Sequence, residues 1–227
     1  MSEPLKERLL DIYGRLSRRY GPQHWWPGDG AFEVIIGAIL TQAASWDNVD
    51  KALANLKERG LLEPAALRAV DQQELANLIK PSVYFNVKAQ KIKAFVHHLW
   101  EHYNDDLEAL LERDAHHLRE ELLSIYGIGE ETADDIVLYA ANKPMFVIDA
   151  YTRRILGRLG LGSTRDTYGP YQAIFMENLP HNANLFNEYH ALLDRHGLET
   201  CRKSKPACGE CCLLDVCPTG DRIAVEE

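Results

Sequence analysis

Four cysteines near the C-terminus have the types and spacing of a metal site, in the pattern C-x6-C-x2-C-x5-C: Cys201, Cys208, Cys211 and Cys217. A [4Fe–4S] cluster takes four cysteine ligands, and such short spacings can supply them. Zinc is the runner-up, although its all-cysteine sites more often read as two separated C-x2-C pairs. Disulfides are the weakest alternative, because no signal peptide is recognisable and cytosolic thiols stay reduced. The fifth cysteine, Cys212, adjoins Cys211 and is predicted to be a packed or free thiol.

The composition of the 227-residue chain, with 46% hydrophobic and 26% charged residues, is that of a globular protein. No apolar run approaches the roughly 20 residues that a membrane-spanning helix needs. Summed over the whole chain, the net charge of −9 argues against a polyanionic partner. Binding, however, depends on local patches of charge. Basic residues do cluster in the cysteine segment, and three upstream arginines are candidates to extend this patch: Arg202, Lys203 and Lys205, then Arg153, Arg154 and Arg158.

Apolar residues recur at helical spacing along almost the whole chain. Asp71 with Glu74 predicts a capped helix start, and Met145–Ile148 looks strand-like but is too short to count. We therefore predict an all-α fold of many short helices in two subdomains, one formed by residues 31–140 and the other by residues 1–30 with 141–227. The predicted apolar stripes lie at 32–40, 49–56, 75–79, 92–103, 133–140, 151–159 and 185–193.

A second motif joins two helical patterns through Gly127-Ile-Gly129 and continues into Thr132 and Ala133. Glycines allow positive φ and close approach of the backbone to a ligand. The following helix presents unpaired N–H groups at its start, where a phosphate is the natural ligand. An ordinary helical hairpin, in which the glycines only make the turn, is the alternative.

Asp149 follows the apolar run Met145–Ile148 and precedes a helical pattern. Aspartate at this position is a common N-cap. A carboxylate at the boundary of a core can also face a cleft and act on a substrate. The two roles are compatible.

Together these motifs resemble the helix-hairpin-helix DNA glycosylases of the endonuclease III type. The cysteine pattern, the hairpin core from Gly127 to Ala133 and the aspartate after an apolar run all match that family. Leu40-Thr41-Gln42 matches its L-[ST]-Q segment, and residues 84–89 resemble its [FLY]-Y-N-x-K-A segment, with Phe85 where tyrosine is usual. Tyr126 stands where the hairpin usually has proline, and Val83 where a glycine is common. The resemblance covers roughly residues 25–217 and implies a two-subdomain glycosylase fold with a cluster loop at 201–217.

One departure from the family alters the expected chemistry. Bifunctional members carry a lysine two residues after the second hairpin glycine, and this chain has Glu131 there. A carboxylate cannot form an imine with the sugar, so lyase activity should be absent or weak. The resemblance then implies a monofunctional enzyme that uses water as its nucleophile.

The pattern is most similar to the bacterial 3-methyladenine glycosylase branch. Trp25-Trp26-Pro27, Trp46 four residues after Gln42, and the hairpin with its glutamate are shared with that branch. For any single tryptophan, a core position is the alternative. A purine methylated at N3 or N7 is cationic, and aromatic rings attract a cation by roughly 0.5–2 kcal/mol each. We therefore predict alkylated purines as substrates, with oxidised or mismatched bases as the alternative and a non-catalytic DNA-binding protein as a second one.

The resemblance also assigns roles to residues. Asp149 is the catalytic carboxylate, and Gln42 fills the gap left by the flipped base. Lys88 is a weaker phosphate candidate, with a solvated helix lysine as the alternative. The pocket residues are Trp25, Trp26 and Trp46, and the predicted DNA contacts are Gly127, Gly129, Thr132, Arg202, Lys203 and Lys205. The expected partner is damaged double-stranded DNA, bound by a monomer in the cytosol of a bacterium or archaeon, associated with the nucleoid and without a membrane.

Overall fold

The computed structural model describes residues 4–220, and this part of the chain is helical without a β-strand. No helix within it is both long and apolar enough to cross a membrane. The chain divides into two compact units. One unit contains the N-terminal residues up to Trp25 together with those from Pro144 onward, and the other contains Trp26–Lys143. The sequence had placed these boundaries after residues 30 and 140.

The unit from Trp26 to Lys143 is built around α2, whose residues from Glu33 to Leu40 are all buried. Helices α3 and α6 and the π-helical turn pack around α2. The single acid on this buried run, Glu33, forms an ion pair with Lys57 at 2.8 Å. The helices of this unit are α2 (Ala31–Thr41), α3 (Trp46–Glu58), α4 (Pro64–Ala69), α5 (Gln72–Leu78), α6 (Phe85–Tyr103), α7 (Leu107–Leu111), α8 (Ala115–Ser124) and α9 (Glu130–Asp135), with a 3₁₀ turn at Lys80–Ser82 and a π-helical turn at Ile136–Ala140.

The other unit packs its longest helices, α1 and α12, against each other, and α10 also packs on α12. Its core is aromatic, with the rings of Phe146 and Phe175 stacked 3.6 Å apart and Tyr189 edge-on to both. The helices of this unit are α1 (Leu5–Tyr20), α10 (Ala150–Arg158), α11 (Tyr168–Met176) and α12 (Ala183–Glu199), followed by 3₁₀ turns at Cys208–Glu210 and Leu214–Val216.

The run Met145–Ile148 is buried and belongs to no helix, and it pairs with no strand in the described residues. A buried backbone still needs hydrogen-bond partners, and side chains of α11 supply them. Gln172 Nε2 donates to the Phe146 carbonyl at 2.8 Å, and the Tyr168 hydroxyl accepts from the Ile148 N–H at 3.1 Å. These bonds fix the segment that ends at Asp149.

Candidate functional site

Asp149 is the N-cap of α10, and its Oδ1 accepts the backbone N–H of Thr152 at 2.7 Å. Burial raises the pKa of this carboxyl, but the neighbouring His190, an interaction with the Asp194 carboxyl and the bonds from Thr152 outweigh burial. The net direction is a pKa below the ordinary value of aspartate. Asp149 is therefore an ionised carboxylate at neutral pH, in a cap geometry that fixes one of its oxygens.

Two residues that the sequence analysis missed accompany this carboxylate. These residues are His190 and Asp194 of α12. A ring nitrogen of His190 and one carboxylate oxygen each of Asp149 and Asp194 all lie within 4.8 Å of one another. They stand four residues apart on one helix and therefore share a face. His190 is buried, and burial lowers the pKa of its ring below the ordinary value although Asp149 acts to raise it. The Asp149 cluster is the name used below for Asp149, His190 and Asp194.

The hairpin lies between α8 and α9, and Gly127 has φ of +84°. An added Cβ at Gly127 would lie 2.2 Å from the Lys91 side chain, so both the conformation and the contact require glycine. Gly129 precedes α9 as its N-cap, and a Cβ there would meet open space. Arg119 of α8 forms an ion pair at 2.6 Å with the fully buried Asp134, which joins α8 to α9.

Gln42 is hydrogen-bonded to this hairpin. Its Nε2 donates to the Gly127 carbonyl at 3.1 Å and to the Thr132 hydroxyl at 2.8 Å, and Lys91 Nζ donates to its Oε1. Thr132 is only 4% exposed. Its hydroxyl therefore serves Gln42, and a phosphate contact from Thr132 would have to use the backbone N–H. Lys91 was not identified from the sequence.

The prediction that Lys88 contacts phosphate is wrong for this conformation, and so is the alternative that it is a solvated helix lysine. Its side chain is buried, and Nζ donates to the carbonyls of Leu40, at 2.7 Å, and Ser82. Burial, with a smaller contribution from Lys91, lowers the pKa of Lys88 to about 8. Lys88 joins the C-terminal turn of α2 to the 3₁₀ turn and has a structural role.

Val83 lies in the turn before α6 with φ of +61°. A β-branched side chain rarely adopts this backbone conformation, whereas glycine adopts it readily. Val83 therefore holds a backbone conformation that favours glycine.

Two of the three predicted pocket tryptophans lie in contact. The rings of Trp26 and Trp46 meet edge to face, with centroids 5.4 Å apart, and Tyr139 lies 5.3 Å from Trp26. All three rings are half-buried. Gly37 makes room for them, because an added Cβ would lie 3.1 Å from Trp26 Nε1. The sequence analysis missed Tyr139, which belongs to the π-helical turn and lies off the apolar stripe of that helix.

The remaining predicted residues fall in separate places. Trp25 is half-buried and belongs to the other unit. Glu131 is exposed in the first turn of α9. Arg202, Lys203 and Lys205 are all exposed on the loop after α12, as a basic surface patch requires.

Cys201, Cys208, Cys211 and Cys217 line one cavity together with apolar side chains such as Leu159 and Leu213. Three of the sulfurs lie near N–H donors: Cys201 near Arg158 Nη1 at 3.1 Å, Cys211 near the Leu213 N–H at 3.4 Å and Cys217 near the Gly220 N–H at 3.3 Å. Burial raises the pKa of Cys211 to about 11, so an anionic sulfur there needs a bound cation. Converging thiols with N–H donors are the surroundings that a thiolate-ligated metal centre needs.

The prediction that Arg154 and Arg158 extend the basic patch is wrong. Arg154 donates to the carbonyls of Gly197 and Cys201, both at 2.9 Å. Arg158 donates to the carbonyls of Cys201, Arg202 and Lys203. Both arginines thus donate to backbone carbonyls of the cysteine loop or next to it, and they do not extend the exposed basic patch.

Comparison with known proteins identifies the family. Residues 36–181 match the HhH-GPD superfamily of base excision DNA repair proteins. The chain belongs to this superfamily. It is 42% identical to the "Putative DNA repair glycosylase MJ1434" of Methanocaldococcus jannaschii, over 96% of this chain and 99% of that protein. It is 30% identical to the endonuclease III of Sulfolobus acidocaldarius, over 82% of this chain and 81% of that protein.

Solved structures agree with the family assignment. An endonuclease III in a non-covalent DNA complex superposes with a TM-score of 0.85 at 23% identity, over 99% of this chain and 100% of that one. The Helicobacter pylori 3-methyladenine DNA glycosylase MagIII, bound to 1,N6-ethenoadenine, superposes with a TM-score of 0.75 at 25% identity, over 87% and 98% of the two chains. The HhH-GPD protein described here is a DNA glycosylase of base excision repair, and the all-α prediction is confirmed.

Proposed function

We propose that this HhH-GPD protein is a monofunctional glycosylase that hydrolyses the N-glycosidic bond of purines methylated at N3 or N7 and leaves an abasic site. The observation that supports this substrate class is the aromatic group formed by Trp26, Trp46 and Tyr139. Electron-rich rings attract a cationic purine. The likeness to MagIII, a 3-methyladenine glycosylase, supports the same class.

In the proposed reaction the damaged base leaves the stack and enters an aromatic pocket. Trp46 stacks on it, and Trp26, which contacts Trp46, forms a wall. The bond between C1′ and the purine nitrogen breaks, and its electron pair neutralises the cationic ring, so no strong general acid is needed. Asp149 stabilises the positive charge that develops on the sugar and accepts a proton from the attacking water. That proton then passes to solvent.

Glu131 supports hydrolysis without strand cleavage. The lyase route requires an amine that attacks C1′ and forms a Schiff base. Glu131 occupies the position of that amine in the family pattern, and a carboxylate cannot form an imine. The product is then an intact strand with an abasic site.

DNA binding is proposed to use two surfaces. The backbone N–H groups of Gly127 and Gly129 hold a phosphate, and Gln42 occupies the space of the flipped base. Open space at the Cα of Gly129 supports close approach of a DNA backbone. The exposed cations Arg202, Lys203 and Lys205 supply a second, electrostatic contact, which explains how an acidic chain binds a polyanion.

The cysteine cavity is proposed to hold a [4Fe–4S] cluster, with Cys201, Cys208, Cys211 and Cys217 as ligands. Four converging thiols and nearby N–H donors fit this group. When bound, it stabilises the loop that carries the basic patch. A cluster gives a brown protein with visible absorption, and a colourless, zinc-loaded protein would contradict this assignment.

A panel of duplexes with single lesions tests the substrate class. Single-turnover base release is measured for 3-methyladenine and 7-methylguanine, for uracil and thymine in mismatches with guanine, and for an oxidised pyrimidine. We expect the methylated purines to be released fastest. Preferential release of a mismatched or oxidised base would overturn the substrate assignment but not the glycosylase activity. Retained DNA binding with no release from any lesion would indicate a non-catalytic DNA-binding protein.

A further inference from the structure

The Asp149 cluster places a second carboxyl group beside the carboxylate assigned to catalysis. Asp149 caps the start of α10, while His190 and Asp194 project from one face of α12. The three groups offer atoms that all lie within 4.8 Å of one another. This packing follows from the close contact between α10 and α12 in the same unit.

Two carboxyl groups this close cannot both ionise without a large electrostatic cost, and a proton held between them removes it. Of the two, Asp149 is the carboxyl whose charge a backbone donor stabilises, because it accepts the Thr152 N–H at 2.7 Å. With the shared proton on Asp194, that carboxyl can donate a hydrogen bond to Asp149. Asp149 then stays ionised between this donor and the Thr152 N–H.

The other titratable groups near Asp149 and Asp194 do not supply the proton that the two carboxyls share. Burial keeps His190 neutral near pH 7, since it lowers the pKa of the ring. Tyr151 of α10 lies near both carboxyls, and burial is the main cause that raises the pKa of its hydroxyl. The Arg154 guanidinium stacks 4.9 Å above the Tyr151 ring, but its N–H groups donate to the carbonyls of Gly197 and Cys201.

We propose that Asp194 is a positioning residue that acts through Asp149: its protonated carboxyl donates a hydrogen bond that holds Asp149 ionised and in one orientation for the attacking water. The inference rests on the proposed glycosylase reaction. In that reaction the water proton goes to Asp149 as the C1′–O bond forms, and Asp194 keeps its own proton throughout. The pair therefore carries one proton before attack and two directly after it, and the second leaves to solvent.

The hydrogen bond from Asp194 predicts a defined difference between two variants. Asp194→Asn keeps an N–H donor of similar size, whereas Asp194→Ala removes the donor. We expect Asp194→Asn to release base within about threefold of the wild-type rate and Asp194→Ala to be at least about tenfold slower, as expected for losing a hydrogen bond to a charged group.

The pH profile separates this role from a merely structural one. The bond from Asp194 lowers the pKa of Asp149, and activity requires ionised Asp149. Losing the bond raises that pKa, so the acid limb of base release moves to higher pH in Asp194→Ala and stays in place in Asp194→Asn. Glu199→Gln, at a partly exposed carboxylate on the same helix, is the matched control and should match the wild type.

The experiment combines single-turnover base release between pH 4 and 9 with a carbon-13 NMR titration of aspartate carboxyls, in which Asp149→Asn identifies the Asp149 signal. Equal rates and acid limbs for Asp194→Ala and wild type, or an Asp149 pKa that does not rise in Asp194→Ala, would overturn the proposal. The titration needs no turnover. If the wild type releases no base at all, the proposed function fails, and the NMR shift still tests the link between the two carboxyls.

Discussion

Gln42 donates its side-chain amide to the hydroxyl of Thr132 at 2.8 Å, which links the end of α2 to the hairpin helix α9. Both residues were assigned to DNA binding from their motifs, and in the free protein they bind each other. Lys91 donates to the other end of the same amide. The hydrogen bonds hold Gln42 in place in the free protein. In the proposed complex with DNA, this order would reduce the entropic cost of binding.

Thr132→Val tests this link, because valine keeps the shape but cannot accept the amide proton. We expect the free energy of unfolding to fall by about 1 kcal/mol. In a double-mutant cycle with Gln42→Ala, the coupling should be about 0.5–1.5 kcal/mol. Urea unfolding of the four proteins measures it, and strictly additive effects would show that the bond contributes nothing.

Asp149→Asn tests the catalytic carboxylate. Asparagine caps a helix about as well as aspartate, so the fold should persist while the negative charge is lost. We expect single-turnover base release to fall at least about 100-fold, as for loss of a positioned acid–base group. Affinity for lesion DNA, measured by fluorescence anisotropy, should stay close to that of the wild type. Unchanged turnover would remove Asp149 from the mechanism.

The carboxylate at Glu131 leads to a prediction for borohydride trapping of the enzyme on DNA. Wild-type protein incubated with lesion DNA and borohydride should give no covalent adduct, because no amine stands at the family's lysine position. Glu131→Lys restores an amine there and should give an adduct visible on a denaturing gel. A strong adduct from the wild type would mean that another amine attacks the sugar.

The Lys88→Met variant tests whether Lys88 has a structural role or contacts a DNA phosphate. We expect unchanged DNA affinity, in contrast to Lys203→Met, which removes an exposed cation of the loop patch. Stability should fall by about 1–3 kcal/mol, since the carbonyls of Leu40 and Ser82 lose their donor. Weakened DNA binding by a fully folded Lys88→Met protein would restore the phosphate assignment.

The same lysine gives a pH dependence of stability with a defined sign. The folded protein releases the Lys88 proton near pH 8, whereas an ordinary lysine, as in the unfolded chain, holds it up to about 10.5. Between these values the unfolded chain binds more protons, so stability rises with pH. The stability of the wild type relative to Lys88→Met should therefore increase from pH 8 to 10.5 in denaturant titrations.

Arg158 supports the cysteine loop through three backbone carbonyls and the sulfur of Cys201. Arg158→Ala should lose iron and acid-labile sulfide faster during dialysis and should have a lower melting temperature. Arg153→Ala is the control, because Arg153 faces Tyr168 and Tyr171 and not the loop. Equal iron retention in the two variants would exclude a supporting role for Arg158.

Local sequence signals predicted a large part of the helical structure. The stripes at Phe32–Leu40 and Val49–Leu56 became the buried faces of α2 and α3, and Asp71 caps α5 through the N–H groups of Gln73 and Glu74. Helices α1, α4, α7 and α11 were not singled out, and the helix that carries the stripe at 92–103 begins earlier, at Phe85. Two of these missed helices, α4 and α7, have only six and five residues, which is too short to show a repeated stripe.

The sequence by itself determined the family, the four cysteines of one loop and Asp149 as the carboxylate that caps a helix. Each of these depends on residue types at short, fixed spacings. Tertiary structure alone decided which distant residues meet. It buried Lys88 on two carbonyls, turned Arg154 and Arg158 into the cysteine loop, and brought Tyr139 to Trp26. It also placed His190 and Asp194 of α12 beside Asp149. Such meetings depend on how helices pack, and no short spacing in the sequence encodes that packing.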